Sequence, residues 1–363
     1  MHSSETFIVT PSASRRSDED RARLLADAGF GRIFTDHMVT ISWSREKGWH
    51  DARVRAREPF LIDPASAVLH YAQEIFEGMK AYRRDDGSIT LFRPEENARR
   101  FNRSAARMAM PEIPESLFIG AIDQLLAIDA SWVPQGEGSL YLRPFMFADE
   151  AFLGVRPADH YIFCLIASPA GAYFKGGAKP LTLWVTDQFS RAAAGGTGAA
   201  KCGGNYAGSL VAQAEATANG CDQVVFLDAA EHKWVEELGG MNIFFVLEGG
   251  EVRTPPLGTI LPGITRASIL ELARLAGHQV VEDRYSFEEW QADAASGRLR
   301  EVFVCGTAAT VVGVGEVRSG AGRFAIGDGK VGPVTEALRE KLLGIQSGSL
   351  PDDFGWCRSA GGK

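Results

Sequence analysis

Two periods of hydrophobic and polar positions alternate along this chain, and the switches between them mark its elements. In residues 68–82, Leu69, Ala72, Ile75, Phe76 and Met79 recur at helical spacing, which predicts a helix there. Residues 89–92 form an apolar run of strand length, and Pro94 then opens another helix. A proline in the first turn removes no N–H that the helix would use. Residues 117–128 read as an amphipathic helix, and 140–147 and 161–167 as strands. Further on come a strand at 181–186, a helix at 206–219, a strand at 223–228 and a hairpin-like pair over 234–247. A helix at 264–275, a strand at 301–305 and a last helix near 334–343 complete the order. Strands and helices mix without strict alternation, so the fold class is α+β (mixed α/β) rather than a doubly wound sheet.

The run of glycines with a proline at 171–180 is the strongest punctuation in the chain. It divides a smaller α+β domain, 30–170, from a larger domain, 181–363. Residues 171–180 serve as the interdomain loop. Residues 1–29, rich in Ser, Arg and Asp, read as a mobile tail holding at most one short helix. A length of 363 residues suits two domains.

Composition narrows the function classes. The chain is 45% hydrophobic and 23% charged, the balance of a soluble globular protein. Its net charge is -8 and it has no dense lysine or arginine run, so nothing marks a nucleic-acid partner. No apolar run is long enough for a bilayer, and the first residues lack a basic region followed by an apolar core. The five cysteines are scattered with no CxxC pair, which suits free thiols in a reducing compartment and gives no zinc motif. The expectation is a cytoplasmic protein with no membrane partner and no metal.

The candidate chemistry sits in four segments. In Ala199-Ala200-Lys201-Cys202-Gly203-Gly204-Asn205-Tyr206, a lysine lies among small residues with a tyrosine five positions on. Such a lysine can form an imine with an aldehyde cofactor, and a nearby phenol can bond the ring oxygen. In Val235-Glu236-Glu237-Leu238-Gly239-Gly240-Met241-Asn242, strand alternation sends Glu236 and Glu237 to opposite sides. One can be solvated while the other points inward, where a protonated pyridine nitrogen is a suitable partner. In Leu261-Pro262-Gly263-Ile264-Thr265-Arg266, a turn opens a helix whose first N–H groups favour an anion. Val304-Cys305-Gly306-Thr307-Ala308-Ala309-Thr310 is a strand running into a small-residue turn with N–H groups able to bind phosphate or carboxylate. Arg100 adds a charged clamp for phosphate. Each motif alone also has a bland reading: a solvated lysine, a surface carboxylate pair, an ordinary capped helix, a solvated helix face.

Taken together and in order, these segments resemble the branched-chain aminotransferases, the fold-type-IV (class IV) pyridoxal-phosphate enzymes. The resemblance runs from Phe30-Gly31-Arg32-Ile33-Phe34-Thr35-Asp36-His37-Met38 to about Val317. It includes Leu69-His70-Tyr71-Ala72, Phe76-Glu77-Gly78-Met79-Lys80-Ala81, Leu140-Tyr141-Leu142-Arg143-Pro144 and Leu153-Gly154-Val155. It implies two domains with pyridoxal 5'-phosphate between them, held as a Schiff base by Lys201. It further implies Glu237 on the pyridine nitrogen, Tyr206 on the ring hydroxyl, and Arg100, Ile264, Thr265 and Thr307 at the phosphate. Phe30, Phe76, Tyr141 and Tyr173 match walls of the side-chain pocket, and Ala308 and Ala309 the backbone that receives the substrate carboxylate. Arg143 matches an arginine that helps receive the dicarboxylate co-substrate. Tyr71 and Val155 match residues lent by a neighbouring subunit, which implies a homodimer. Gly240, at the pocket edge, stands where some relatives carry threonine. Ala309 and Val312 stand where some carry a CxxC pair, so no thiol switch exists there.

The implied reaction is amino transfer from L-leucine, L-isoleucine or L-valine to 2-oxoglutarate, with Lys201 shuttling the proton. An aliphatic pocket gains about 0.8 kcal/mol per methylene, so discrimination among the three amounts to about 1–3 kcal/mol. D-amino acid aminotransferases and aminodeoxychorismate lyases are shorter relatives that lack the long 30–38 stretch. A non-catalytic cofactor binder is the alternative from another class, against which intact Lys201, Glu237 and Tyr206 argue.

Overall fold

The computed structural model describes residues 6–171 and 179–361, which gather into two compact units. Tyr173 and most of the expected interdomain loop lie outside the described residues. The first unit contains the described residues up to 171, Ala200–Gly203 and the C-terminal stretch from Ile345. Its elements are β1 (Ile8–Val9), α1 (Asp18–Ala26), β2 (His37–Ser44), β3 (Gly48–Ala56), α2 (Ala67–Tyr71), β4 (Glu74–Phe76) and β5 (Met79–Arg83). Then come β6 (Ile89–Phe92), α3 (Pro94–Arg107), α4 (Glu115–Asp129), β7 (Ser139–Ala148) and β8 (His160–Ala170). The sheet order is β1-β3-β2-β8-β7-β5-β6, with β4 on β7 and the C-terminal strand Cys357–Ser359 on β6. Only β1 and β3 run parallel. Phe101 of α3, Phe118 of α4 and Phe163 of β8 meet at ring distances of 5.4–5.8 Å in the core beneath the helices.

Three expectations change here. Residues 68–82 do not form one helix. Ala72 adopts φ 47°, ψ 38°, a left-handed conformation that stops α2 at Tyr71. The apolar positions beyond it serve two strands instead, Ile75 and Phe76 pairing with Met146 and Phe145. Gly78 separates those strands because a β-carbon there would collide with the Tyr141 hydroxyl. The N-terminal stretch is also ordered over much of its length. The Ser12 N–H donates to His37 Nε2 at 2.9 Å, and Arg16 Nη1 donates to the Phe34 carbonyl at 2.9 Å. Lastly, the C-terminal stretch does not belong with the second unit. Cys357–Ser359 pairs with β6, and Arg358 grips Asp123 of α4 with two bonds of 2.8–2.9 Å. The first unit is therefore the larger one.

The second unit contains the described residues up to Ala199 that follow residue 178, and Gly204–Gly344. Its elements are β9 (Leu181–Val185), α5 (Gly203–Ala218, from its second residue on), β10 (Gln223–Leu227), β11 (Val235–Leu238) and β12 (Asn242–Leu247). They continue with β13 (Glu251–Thr254), α6 (Ile264–Leu275), β14 (Gln279–Glu282), α7 (Phe287–Ser296), β15 (Leu299–Gly306), β16 (Thr310–Ser319), β17 (Gly322–Ala325) and α8 (Pro333–Ser347, as far as Gly344). The order is β11-β10-β9-β16-β15-β12-β13-β14, with β17 on β16. The hairpin expected over 234–247 does not form. β11 pairs with β10, and β12 lies between β15 and β13, although Leu238 N–H donates to the Met241 carbonyl across the turn. Phe245, Tyr285 and Trp290 pack at 4.6–5.0 Å in the core. Ser286 and Glu289 cap α7 reciprocally, satisfying N–H groups the helix leaves open. Among the described residues, no helix is long and apolar enough to cross a membrane.

Candidate active site

Lys201 is placed by main-chain bonds within the first unit. Its N–H donates to Ser104 Oγ at 2.9 Å, and its carbonyl accepts from Phe76 N–H at 2.9 Å. Two residues on, the Gly203 N–H donates to the Glu74 carboxylate. The small neighbours Ala200 and Cys202 are buried in this unit's core. With its backbone fixed from both β4 and α3, the half-buried lysine has its ammonium 4.8 Å from the Phe76 ring centre.

A carboxylate the sequence did not single out lies beside it. Glu77 is fully buried, and Arg100 meets it with two parallel bonds, Nε–Oε1 at 2.7 Å and Nη2–Oε2 at 2.8 Å. Asn97 Nδ2 adds a third at 2.7 Å. Burial alone would raise the Glu77 carboxyl, but the Arg100 charge and bonds, the Lys201 charge and Asn97 outweigh it and hold the group below its ordinary range. The pair commits two Arg100 nitrogens. Nothing in local spacing announces an ion pair between a strand and a helix. The one visible signal was a carboxylate between Phe76 and Gly78 in an apolar run.

Three expected pocket residues converge in the same unit. Phe30 meets the Tyr141 ring edge-on at 5.0 Å, and the Arg143 guanidinium lies 4.9 Å from the Phe76 ring and 5.3 Å from that of Tyr141. Arg143 Nη2 donates to the Tyr141 hydroxyl at 3.0 Å, while its buried Nε has no partner among the described residues. Such an orphaned donor beside an apolar wall suits an anionic visitor. Glu74 is pushed up by burial, against the lowering effects of the Gly203 N–H and the Arg143 charge. Tyr71 and Val155 lie on the unit's surface. Tyr71 donates to the Leu153 carbonyl at 2.7 Å, and Val155 is 87% exposed.

The second unit holds the remaining candidates. Glu237 is buried, with Oε1 in an ion pair 2.7 Å from Arg191 Nη1 and accepting from Leu261 N–H at 2.8 Å. Its Oε2 accepts from Asn242 Nδ2 at 3.0 Å, and the same amide nitrogen reaches the Leu261 carbonyl at 3.1 Å. Glu236 does face another way, but it is not solvated. It is buried against Thr259 and lines a cavity of about 510 Å³ with Trp234 and Asp228. Burial pushes its carboxyl up, against the bond from Thr259. The helix α6 starts after Gly263 with no side-chain cap, which leaves the first N–H groups, including those of Ile264 and Thr265, for an anion. Thr307, Ala308 and Ala309 form the loop between the paired Gly306 and Thr310. Thr310 takes φ 63°, a costly conformation for a β-branched residue and of the kind found at functional turns.

Two glycines here separate cleanly. A β-carbon at Gly263 would collide with Asn242 Oδ1, whose amide is pinned by Glu237 and Leu261. One at Gly240 meets only Tyr206 Cε1, at an ordinary 3.7 Å. Gly263→Ala therefore destabilises the protein by about 1–3 kcal/mol through overpacking. Gly240→Ala stays within about 0.5 kcal/mol. Thermal unfolding of both variants checks this, and equal losses would contradict it.

The first unit offers an anchored amine. The second offers an uncapped helix start, a buried carboxylate and a turn of small residues, the kinds of group that suit a phosphorylated ring. Residues 74–317 match the family model described as amino-transferase class IV. The chain belongs to this family. This class IV aminotransferase is 56% identical to a Streptomyces coelicolor protein named "Probable branched-chain-amino-acid aminotransferase", over 97% of this chain and 98% of that one. It is 55% identical to the branched-chain-amino-acid aminotransferase of Mycobacterium tuberculosis, over 98% of both. Among solved structures it is similar to a T.th. branched-chain amino acid aminotransferase with pyridoxamine 5'-phosphate. There the TM-score is 0.71 at 30% identity, covering 87% of this chain and 97% of that one. The fold is that of the fold-type IV aminotransferases.

Proposed function

We propose that this class IV aminotransferase is a pyridoxal-5'-phosphate-dependent branched-chain-amino-acid transaminase. It moves the amino group of L-leucine, L-isoleucine or L-valine to 2-oxoglutarate, giving the 2-oxo acid and L-glutamate, reversibly. The observation that carries the reading is the anchored Lys201 amine beside an apolar wall that ends in the orphaned donor of Arg143. An aliphatic side chain needs the wall, and a dicarboxylate needs the donor. The near full-length similarity to two proteins of that name supports the same substrate class.

When bound, the cofactor supplies an electron sink for charge developing at the substrate Cα. The residues do the rest. Lys201 would hold the cofactor through its amine, and that amine, once free, would be the group placed to carry the substrate Cα proton. Glu237 would pair with the ring nitrogen and favour its protonated form, and Tyr206 would bond the ring oxygen. Ile264 and Thr265 at the start of α6, with Thr307 and Arg100, receive the phosphate. Ala308 and Ala309 offer N–H groups to the substrate carboxylate. Phe30, Phe76 and Tyr141 would face the aliphatic chain, and Arg143 would receive the second carboxylate of the co-substrate.

A homodimer completes the proposal. Leu61, Leu69, Tyr71, Leu153 and Val155 are all exposed in the first unit, and Tyr71 donates to the Leu153 carbonyl. A second copy would cover them, and Tyr71 and Val155 would be lent to the neighbouring pocket. Free thiols at all five cysteines fit a reducing, cytoplasmic compartment.

The visible spectrum of the cofactor-loaded protein tests the reading. L-leucine is expected to convert the lysine-bound yellow form, and D-alanine to leave it unchanged. Conversion by D-alanine alone would refute the substrate class but leave the cofactor assignment standing.

A further inference from the structure

We propose that Arg191 is a positioning residue for this reaction: it fixes the charged carboxylate of Glu237 and binds it to the stretch of chain that leads to Lys201. The inference rests on the reading of Glu237 as partner of the cofactor's ring nitrogen. Arg191 was not marked by the sequence. It stands in Ser190-Arg191-Ala192, ahead of the small-residue run, with nothing to separate it from a surface arginine.

The structure gives it a different place. Its side chain is 2% exposed and that of Glu237 is 3% exposed, with Nη1 and Oε1 2.7 Å apart. The Arg191 guanidinium brings a positive charge to Glu237; the Leu261 N–H and Asn242 Nδ2 that donate to it are neutral. Neutral donors orient a carboxylate, but a buried anion also needs charge nearby to remain an anion. The same Nη1 donates to the Gly198 carbonyl at 3.3 Å, three residues before Lys201 in the chain. Gly198 has no room to shift. A β-carbon there would collide with the Thr259 carbonyl and lie 2.6 Å from Ala192 Cβ. Thr259 is two residues from Leu261, whose N–H also holds Glu237. One guanidinium thus links the acid, the loop that orients it and the approach to the lysine.

A residue acting this way leaves a signature that a purely structural arginine does not. Loss of Arg191 favours the protonated form of Glu237, which then cannot hold the proton on the ring nitrogen. The pH midpoint of the lysine-bound cofactor's absorbance therefore moves in Arg191→Gln. Its kcat falls by about ten- to a hundredfold, with KM changed much less. Arg191→Lys restores charge and recovers part of both effects.

The deciding experiment titrates this absorbance in the cofactor-loaded wild type, Arg191→Gln, Arg191→Lys, Glu237→Gln and the Arg191→Gln/Glu237→Gln double variant. The double variant is expected to match Glu237→Gln, because Arg191 acts through that carboxylate. It also removes both charges of the buried pair, so it remains measurable if Arg191→Gln alone folds poorly. A wild-type midpoint in Arg191→Gln, or a further shift in the double variant beyond Glu237→Gln, overturns the proposal. An unchanged spectrum and kcat in Glu237→Gln instead overturns the reading of Glu237, and the two failures are thereby told apart.

Discussion

Alanine at position 201 abolishes the lysine-bound absorbance band and lowers amino transfer from L-leucine by at least about a thousandfold. On the proposed function, both the covalent hold and the proton carrier would be lost, and a positioned proton carrier alone contributes about 10²–10⁴. The fold should survive. The bonds that seat the residue, to Ser104 Oγ and from Phe76 N–H, are made by its main chain, which alanine keeps. Melting close to that of the parent, with no band and no transfer, is the expected combination. Retained transfer in a well-folded Lys201→Ala protein would remove the lysine from the mechanism.

The second large effect is on stability. Glu77→Ala leaves the Arg100 guanidinium buried without its carboxylate, and breaking one side of such a pair costs about 3–5 kcal/mol. Glu77→Gln keeps acceptor and shape and should lose less. The pH dependence has a definite sign. The folded-state carboxyl sits below its usual 4.5, so its stabilising contribution is complete above that pH. It fades only as pH falls through the lower folded value. The stability gap between parent and Glu77→Ala should therefore be flat above about pH 5 and narrow in acid. Denaturant unfolding across pH checks both, and a gap that widened in acid would contradict the charge assignment.

What the sequence revealed and what it hid follow from the reach of the forces involved. The strand at Ile89–Phe92 and the helix opened by Pro94 are decided within a few residues, and both appear where their local pattern put them. Residues 68–82 carry an equally good helical pattern, yet a distant contact wins. Phe76 pairs with Phe145, and Ala72 turns left-handed to allow it. The mixed α/β class was legible because it depends on the order of elements, not on their ends. Lys201 and Glu237 stood out through small or paired neighbours in the chain. Glu77 and Arg191 did not, because each is defined by a buried partner far along the sequence. Burial of Glu236 was likewise invisible, since alternation gives the side of a strand but not what covers that side.

The pairing of Cys357–Ser359 with β6 also bears on how the protein is made. On a ribosome, every other strand of the first sheet is available once residue 170 has emerged, but the outer edge of β6 lacks its neighbour. That neighbour follows only after the entire second unit has been translated, roughly 10–40 s later at ordinary synthesis rates. The unit begun first is finished last, and for that interval β6 presents an open edge of the kind that seeds mispairing with other nascent chains.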